Sequence, residues 1–301
     1  MYFHEYLAIS TPSLPWQGGA RQYTAYNLQL TSSEVVIKNT QFFDLPKPRL
    51  FGHRGDPRRF VENTLPSFES ALDCGVRYLE MDLWLTRDLV PVVHHDRELS
   101  RIYGMDARVG DLNLEEIKKL IPKDALLPDE QGLSIFSQQD FSVPTFEEVL
   151  NKFPSAMFNL EFKLDSFDLV NRVVDIIFEY NLQDRVLLAS EHDHLVDNPR
   201  VLENNIPVAL GYKQTREFFA WIDSGREKSF ETRGSALQIP ESYNGLQLLT
   251  GDNMKKARDN GLEVHVWTVN HREKMREFID MEVDGIMSDD AKMLVQEASS
   301  A

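Results

Sequence analysis

From about residue 49 to the end of the chain, short runs of apolar, β-prone residues alternate with longer stretches that have helical period. Strands that alternate with helices indicate repeated βα units around a parallel sheet. We count eight strand-like runs, at 50–53, 77–83, 156–163, 185–190, 207–212, 235–239, 262–269 and 285–287. Eight consecutive units predict a closed (β/α)8 barrel of the TIM type, a fold that typically needs about 250 residues.

Two segments depart from this repeat. A further apolar run at 90–94 follows the second strand too closely for a parallel crossover, so we predict an antiparallel hairpin with its tip near Arg87 and Asp88. Residues 97–143 are longer than an ordinary connection. They predict a small subdomain inserted over the barrel mouth after the hairpin of the second strand, with a helix at 112–120 capped by Asp111.

The domain organisation that we expect is a barrel over residues 49–298 preceded by an N-terminal extension, residues 1–48. The extension contains a β-prone run at 34–37, and the sequence assigns it no role.

Charge and cysteine content narrow the classes of partner. The formal net charge is −16, which disfavours binding to nucleic acid or to an anionic bilayer. A single cysteine excludes an internal disulfide. No uninterrupted apolar run approaches the roughly 18 residues of a membrane-spanning helix, and the first residues do not follow the pattern of a secretory signal. We therefore predict a soluble cytoplasmic protein with no stable membrane insertion, and leave a homo-oligomer open.

Three acidic residues on two predicted strands form the strongest candidate for a metal site. Glu80 and Asp82 are two residues apart, so both point to the same side of their strand, and the apolar residues beside them point to the other side. Glu161 occupies the same parity on the next barrel strand. Buried carboxylates need a compensating charge, and three carboxylate oxygens suit Mg²⁺ or Ca²⁺, with Mn²⁺ as a third candidate. Zinc is disfavoured because the ligands are all oxygen.

Basic and imidazole side chains occur at the ends of the same predicted strands or of neighbouring ones, so they are expected near these acids. Arg54 follows the first strand and Lys163 shares the face of Glu161, so both can bind a phosphate anion. His53 ends the first strand and His95 ends the returning arm of the hairpin, so both can lie over the same barrel mouth. A phosphodiester cleavage needs a base and an acid, and imidazole can serve as either near neutral pH.

Each of these residues also has a purely structural interpretation. Glu80 and Asp82 alone could form a salt-bridge pair at the rim, and His53 alone could be a hydrogen-bonded residue at a strand end. By strand parity His94 points away from His95 and is assigned a structural role. The remaining histidines of interest are His192 and His194, which we assign to a solvated loop, and His265, which we assign to the packed interior.

Seven short motifs follow one another along the chain in an order that resembles the glycerophosphodiester phosphodiesterase family, over residues 49–294. They are His53-Arg54-Gly55, Glu62-Asn63-Thr64, Glu80-Met81-Asp82, the stretch 91–96 that ends in His94-His95-Asp96, Asn159-Leu160-Glu161-Phe162-Lys163, Trp267-Thr268-Val269-Asn270 and Asp284-Gly285-Ile286-Met287-Ser288-Asp289. The family also inserts a small subdomain after its His-Asp motif.

The resemblance implies a TIM barrel, one divalent cation and a small-molecule glycerophosphodiester substrate. The implied roles are metal binding by Glu80, Asp82 and Glu161, acid-base catalysis by His53 and His95, phosphate binding by Arg54 and Lys163, and a pocket wall at Trp267.

The predicted reaction is hydrolysis of a glycerophosphodiester to sn-glycerol 3-phosphate and an alcohol. The glycerol 2-hydroxyl can attack first to give a cyclic phosphate, or water can attack directly, and the sequence does not choose between the routes. Two other functions stay open. One is a lysophospholipase D-type activity, which needs an apolar groove for an acyl chain, and the other is a barrel that binds a phosphate ligand without turnover.

Overall fold

The structure is a computed structural model, and it describes residues 40–123, 138–225 and 228–300. The predicted N-terminal extension lies outside the described residues up to position 39, including the β-prone run at 34–37. Residues 124–137 of the predicted insertion lie outside them as well.

A curled sheet of parallel strands occupies the centre of the fold. In the order of the sheet its members are β5, β4, β2, β1, β10, β9 and β6, and every neighbouring pair is parallel. The strands are β1 Arg49–Gly52, β2 Tyr78–Leu85, β3 Pro91–Val93, β4 Met157–Phe162, β5 Val186–Ser190, β6 Ala236–Ile239, β7 Ser242–Tyr243, β8 Leu246–Gln247, β9 Glu263–Val266 and β10 Gly285–Ser288.

Short bridges replace the strand that was predicted at 207–212. Val208 forms a parallel bridge with Leu188 of β5, and Ala209 forms one with Ala236 of β6. The chain leaves the sheet at once because Gly211 caps a helix that begins at Tyr212. These bridges link the two ends of the seven-strand sheet, so the predicted (β/α)8 barrel is confirmed. One of its eight strands is reduced to two bridged residues.

The described residues form twelve helices, and most of them cover the outside of the sheet. They are α1 Gln41–Asp44, α2 Leu65–Cys74, α3 Ser100–Tyr103, α4 Leu114–Ile117, α5 Phe146–Lys152, α6 Phe167–Glu179, α7 Asp193–Val196, α8 Pro199–Glu203, α9 Tyr212–Asp223, α10 Gly251–Asp259, α11 Arg272–Asp280 and α12 Ala291–Ser299. Within the described ranges, no helix is both long and apolar enough to cross a membrane.

The predicted hairpin is present, and residues 97–123, named here the segment after the hairpin, pack on its tip. Strand β3 pairs antiparallel with β2, and the turn passes through Arg87 and Asp88. The predicted cap at Asp111 is wrong, because Asp111 ends a 3₁₀ turn. Asn113 caps α4 instead, and its backbone N–H donates to Glu116 in a capping box.

Apolar side chains form separate layers inside and outside the barrel. Met81 and Leu83 belong to one cluster with Phe68, Val149 and Leu169 of the covering helices, as their strand parity predicted. Residues of the opposite parity form the inner layer, together with Phe42 of α1: Phe51, Tyr78, Met157, Leu187, Ala189, Ala209, Ala236 and Met287. The inner layer fills the barrel below its mouth.

A buried ion pair lies at the opposite end of the barrel from the mouth. Arg49, 1% exposed, donates from Nε and Nη2 to the two carboxylate oxygens of Glu263 at 2.8 and 2.7 Å. The ring of His265 lies 3.3 Å from the same carboxylate, and His265 is fully buried, as expected from the sequence. Burial opposes the charge on Glu263, but the hydrogen bonds from His265 and Arg49 outweigh it and lower its pKa to about 2.

The first prediction concerns acid stability. Because the folded pKa of Glu263 lies below its ordinary value of 4.5, Glu263 contributes stability above that value and loses it as pH falls toward 2. The difference corresponds to about 3 kcal/mol at neutral pH. We expect Glu263→Gln to lower the free energy of unfolding at pH 7 by at least this order, and the gap to wild type to narrow as pH falls from 5 to 3.

Urea unfolding followed by tryptophan fluorescence at several pH values measures this effect. Glu203→Gln, at an exposed position, is the matched control and should follow the wild-type curve. A gap between Glu263→Gln and wild type that stays constant with pH would show that the Glu263 charge does not contribute in this way.

Candidate active site

Three carboxylates converge inside the barrel mouth because of the register between β2 and β4. Asp82 pairs directly with Glu161, and Glu80 lies two residues before Asp82 on the same face. One oxygen from each of the three lies within 4.8 Å of the others. Glu80 and Asp82 are almost fully buried, and the Glu161 side chain is 25% exposed.

Two cations partly neutralise this acid cluster of Glu80, Asp82 and Glu161. Lys163 Nζ lies 2.8 Å from Glu161 Oε1 and 3.3 Å from Asp82 Oδ1. Arg54 Nε lies 3.3 Å from Asp82 Oδ2. Burial alone would raise the pKa of Asp82, but the charges of Lys163 and Arg54 lower it well below the ordinary range.

Glu80 has the opposite shift. Burial and the charge of Asp82 raise its pKa to about 7. The backbone N–H of Arg54 donates to Glu80 Oε2 at 2.9 Å, and His53 Nε2 lies 3.9 Å from the same oxygen. The cluster therefore holds more negative charge than its neighbours compensate. Its all-oxygen donor set and this excess charge fit a hard divalent cation.

The loop after β1 brings its backbone to the cluster through left-handed conformations. Arg54 has φ of 55° and Gly55 has φ of 92°. A Cβ on Gly55 would meet the Ser67 hydroxyl at 2.4 Å, so only glycine fits there. Asn63, with φ of 57°, donates from its side chain to Asp82 Oδ2 at 2.8 Å. The loop thus fixes both Glu80 and Asp82.

The ring of His53 is held by an aspartate from the end of β10. Nδ1 lies 2.7 Å from Asp289 Oδ1, and Asn270 donates to the other Asp289 oxygen at 2.6 Å. This leaves Nε2 on the side of Glu80. Burial opposes the charged imidazole, but the Asp289 hydrogen bond and the Glu80 charge together raise the pKa of His53 above its ordinary value.

His95 has the same hydrogen-bonding arrangement as His53, with its own aspartate. Its Nδ1 lies 2.8 Å from Asp96 Oδ1, and Arg101 Nε donates to Asp96 Oδ2 at 2.5 Å. Burial opposes the charge on Asp96, but the hydrogen bonds from His95 and Arg101 lower its pKa. Both imidazoles therefore use Nδ1 for a carboxylate and keep Nε2 for another partner.

The other histidines belong to different surroundings. His94 is 1% exposed and bonds through Nδ1 to the Asp96 carbonyl at 2.7 Å, which agrees with a structural role. His192 and His194 lie at the start of α7, where Asp165 is 2.6 Å from His194 Nε2 and 4.0 Å from His192 Nδ1. They are solvent-facing and separate from the acid cluster.

Trp267 lies at the carboxyl end of β9, at the mouth of the barrel, and is 42% exposed. It borders a shallow cavity of about 370 Å³ together with Glu241, Ser242 and Lys274. The residues that line this cavity do not include the acid cluster. The place of Trp267 beside the leaving group therefore stays a prediction.

The residues that orient the site have no role that the sequence pattern reveals. Asn63, Asp289 and Glu62 were all within the quoted motifs, but spacing alone gave them no role. Glu62 Oε1 accepts from Arg54 Nη1 at 3.1 Å. The partners of Asn63 and Asp289 lie on other elements of the barrel, and Glu62 also accepts from Arg101 of α3. These longer-range contacts form only when the chain has folded, so the sequence pattern does not reveal them.

Known proteins are similar to this chain over most of its length. Residues 53–293 match the model of the "Glycerophosphoryl diester phosphodiesterase family". A probable glycerophosphodiester phosphodiesterase 2 of Mycobacterium tuberculosis is 28% identical over 80% of this chain and 87% of its own length. Lysophospholipase D GDPD1 of Homo sapiens is 22% identical over 86% of this chain and 90% of its own length.

A solved structure shares the fold. A phosphodiesterase of Oleispira antarctica, determined in complex with the product sn-glycerol-3-phosphate, superposes with a TM-score of 0.65. It is 21% identical in sequence, and the match covers 84% of this chain and 97% of that one.

The second prediction tests the carboxylate behind His53. We expect Asp289→Asn to lower the pKa of the His53 imidazole in metal-free protein, because the substitution removes the negative partner that favours the charged ring. Imidazole resonances titrated by NMR measure it directly. Asp165→Asn, which removes the partner of His194, should leave the His53 titration unchanged. An unaltered His53 titration in Asp289→Asn would contradict the assignment.

Proposed function

Because the chain belongs to the glycerophosphoryl diester phosphodiesterase family, we propose that it hydrolyses glycerophosphodiesters to sn-glycerol 3-phosphate and an alcohol. The observation that supports this most is the convergence of three carboxylates, two cations and two carboxylate-bound imidazoles at one end of the barrel. Active sites of TIM barrels lie at the carboxyl ends of the strands.

The metal ligands that we propose are Glu80, Asp82 and Glu161, which hold one divalent cation, with Mg²⁺ and Ca²⁺ ahead of Mn²⁺. When bound, such a cation neutralises the phosphodiester anion and polarises its phosphoryl oxygen. The cluster carries negative charge that Lys163 and Arg54 do not fully compensate, and the raised pKa of Glu80 supports this assignment.

Arg54 and Lys163 are the phosphate-binding residues in this proposal. Arg54 Nε is buried and makes no hydrogen bond within the part of the chain that the structure describes, so it has a donor to offer to a phosphate oxygen. Lys163 offers a compact charge on the opposite side of Asp82. Trp267 would form the wall of the pocket beside the alcohol.

Proton transfer is assigned to His53 and His95. Each imidazole has its Nδ1 fixed by an aspartate, so Nε2 is the atom that takes or gives the proton. Attack by the glycerol 2-hydroxyl and attack by water both need one base and one acid, and the pair supplies them for either route.

Several expectations from the sequence stay predictions: the barrel boundaries at 49–298, the insertion at about 97–143, the cytoplasmic location, the absence of a nucleic-acid partner and the open question of a homo-oligomer.

The third prediction concerns the metal. Protein treated with a chelator and then dialysed should lose hydrolysis of glycerophosphocholine, glycerophosphoethanolamine and glycerophosphoglycerol, because the acid cluster then lacks its counter-charge. Mg²⁺, Ca²⁺ and Mn²⁺ are restored one at a time, and release of glycerol 3-phosphate is measured. Recovery with at least one of them is expected, whereas full turnover without any divalent cation would overturn the metal assignment.

The same assay distinguishes hydrolysis of deacylated glycerophosphodiesters from a lysophospholipase D-type activity. Lysophosphatidylcholine carries the same phosphodiester with an added acyl chain, and a relative is named for activity on such lipids. We expect faster hydrolysis of the deacylated substrates. A preference for the lysolipid would instead assign the chain a lysophospholipase D-type activity, and metal binding without turnover of any of them would favour a ligand-binding barrel.

The fourth prediction assigns the residues. Glu80→Ala should abolish calorimetric binding of the restoring metal, and His95→Ala should lower turnover by about 100-fold or more while metal binding is kept. His192→Ala is the control, since His192 is a solvent-facing imidazole outside the cluster. Unchanged hydrolysis in Glu80→Ala or full turnover in His95→Ala would contradict the respective role.

A further inference from the structure

Arg101 connects His95 with Arg54 of the proposed site through two carboxylates. It lies on α3, a few residues after His95 and Asp96, at the start of the predicted insertion. Its Nε donates to Asp96 Oδ2 at 2.5 Å. Its Nη1 and Nη2 donate to the two oxygens of Glu62 at 3.0 and 2.6 Å. The guanidinium therefore uses three nitrogens on two carboxylates.

Each of these carboxylates has a second partner inside the site. Asp96 holds the Nδ1 of His95 through its other oxygen, at 2.8 Å. Glu62 accepts from Arg54 Nη1 at 3.1 Å through the same oxygen that faces Arg101 Nη2. A continuous chain of charged hydrogen bonds thus runs from His95 through Asp96, Arg101 and Glu62 to Arg54.

A role in holding the fold together does not account for this arrangement. The Arg101 side chain is 49% exposed, and ion pairs at such positions typically contribute at most about 1 kcal/mol to stability. Helix α3 is anchored by other groups: Leu99 is fully buried, and the Tyr103 hydroxyl donates to the Phe141 carbonyl. Removing the guanidinium leaves these anchors in place.

Binding Asp96 and Glu62 at the same time requires the planar guanidinium group of an arginine. A planar guanidinium presents several N–H donors in a fixed fork, and this fork can hold two carboxylates at a set angle. Both acceptors are charged at neutral pH. Burial opposes the charge on Glu62, but Arg101 and Arg54 lower its pKa, and the pKa of Asp96 is lowered as well.

We propose that Arg101 is a positioning residue, which fixes His95 through Asp96 and Arg54 through Glu62, so that the segment after the hairpin completes the active site. This rests on the proposed function, because it assumes that His95 transfers a proton and that Arg54 binds phosphate. Without Arg101, Asp96 can turn away from His95 Nδ1, and Glu62 is left with Arg54 as its partner.

The test compares Arg101→Gln with Arg87→Gln. Arg87 is an exposed arginine that also bonds to groups of the segment after the hairpin, Asp111, Asn113 and Glu116, but has no link to His95 or Arg54. We expect Arg101→Gln to lower kcat on glycerophosphocholine by about 10- to 100-fold, the usual cost of losing a partner of a catalytic group. Arg87→Gln should keep kcat within about 2-fold of wild type and lower the melting temperature by as much as Arg101→Gln does.

Three further measurements identify a positioning role. Arg101→Lys should be intermediate, because one ammonium cannot hold both carboxylates in the same geometry. Added guanidinium, at concentrations too low to unfold the protein, should partly rescue Arg101→Ala. Calorimetric affinity for glycerol 3-phosphate should fall in Arg101→Gln, since Arg54 is no longer held, while the affinity for the activating metal should stay within about 3-fold of wild type.

A double-mutant cycle tests the route through His95. If Arg101 acts through that imidazole, Arg101→Gln should cost much less in a His95→Ala background than in wild type. An equal loss in both backgrounds, or an Arg101→Gln variant with the kinetics of Arg87→Gln, would overturn the proposal while the hydrolysis stands. A wild-type protein without activity on any glycerophosphodiester would instead overturn the proposed function.

Discussion

The register that pairs Asp82 with Glu161 across two parallel strands determines the character of the whole mouth. It places three carboxylates inside the barrel, where unpaired charge is costly. The surrounding residues act against this cost: Lys163 and Arg54 lie beside Asp82, and a left-handed turn directs a backbone N–H to Glu80. The remaining excess of negative charge is the feature that fits a divalent cation.

The barrel contains a second buried acid with the opposite electrostatic state. Glu263, at the far end, is paired with Arg49 through two hydrogen bonds and has a pKa of about 2. Glu80, at the mouth, has a pKa of about 7, because burial and the charge of Asp82 raise it and its hydrogen-bond donor is the backbone N–H of Arg54. A compensated acid stabilises the fold, and an uncompensated one marks a place where a ligand can supply the missing charge.

Strand parity alone predicted the parts of the site that depend on one strand. Glu80 and Asp82 alternate with Met81 and Leu83, and the structure places these pairs on opposite faces. The strand predicted at 207–212 was too long, because Gly211 is the N-cap of α9 and the chain turns into the helix there. The apolar pattern does not reveal this cap. The cap of α4 was misplaced for a similar reason, since both Asp111 and Asn113 are suitable cap residues by type.

Residues that orient others could not be predicted from the pattern, because their partners are distant in sequence. Asn63 reaches Asp82, Asp289 reaches His53, and Arg101 reaches Glu62, over separations of 19, 236 and 39 residues. Each contact exists only after the barrel has closed or the segment after the hairpin has folded back. The motifs mark the loops that carry these residues, but the role of each side chain follows from the packing.

The two imidazoles are alike in their hydrogen bonding and different in what holds them. Asp289, behind His53, comes from the end of β10 and is fixed by Asn270, so that pair belongs to the barrel itself. Asp96, behind His95, is fixed by Arg101 from the segment that follows the hairpin. In the proposed reaction one proton-transfer group is therefore as rigid as the barrel, and the other depends on how that segment is folded. A change in that segment would alter the step that uses His95 before it alters the step that uses His53.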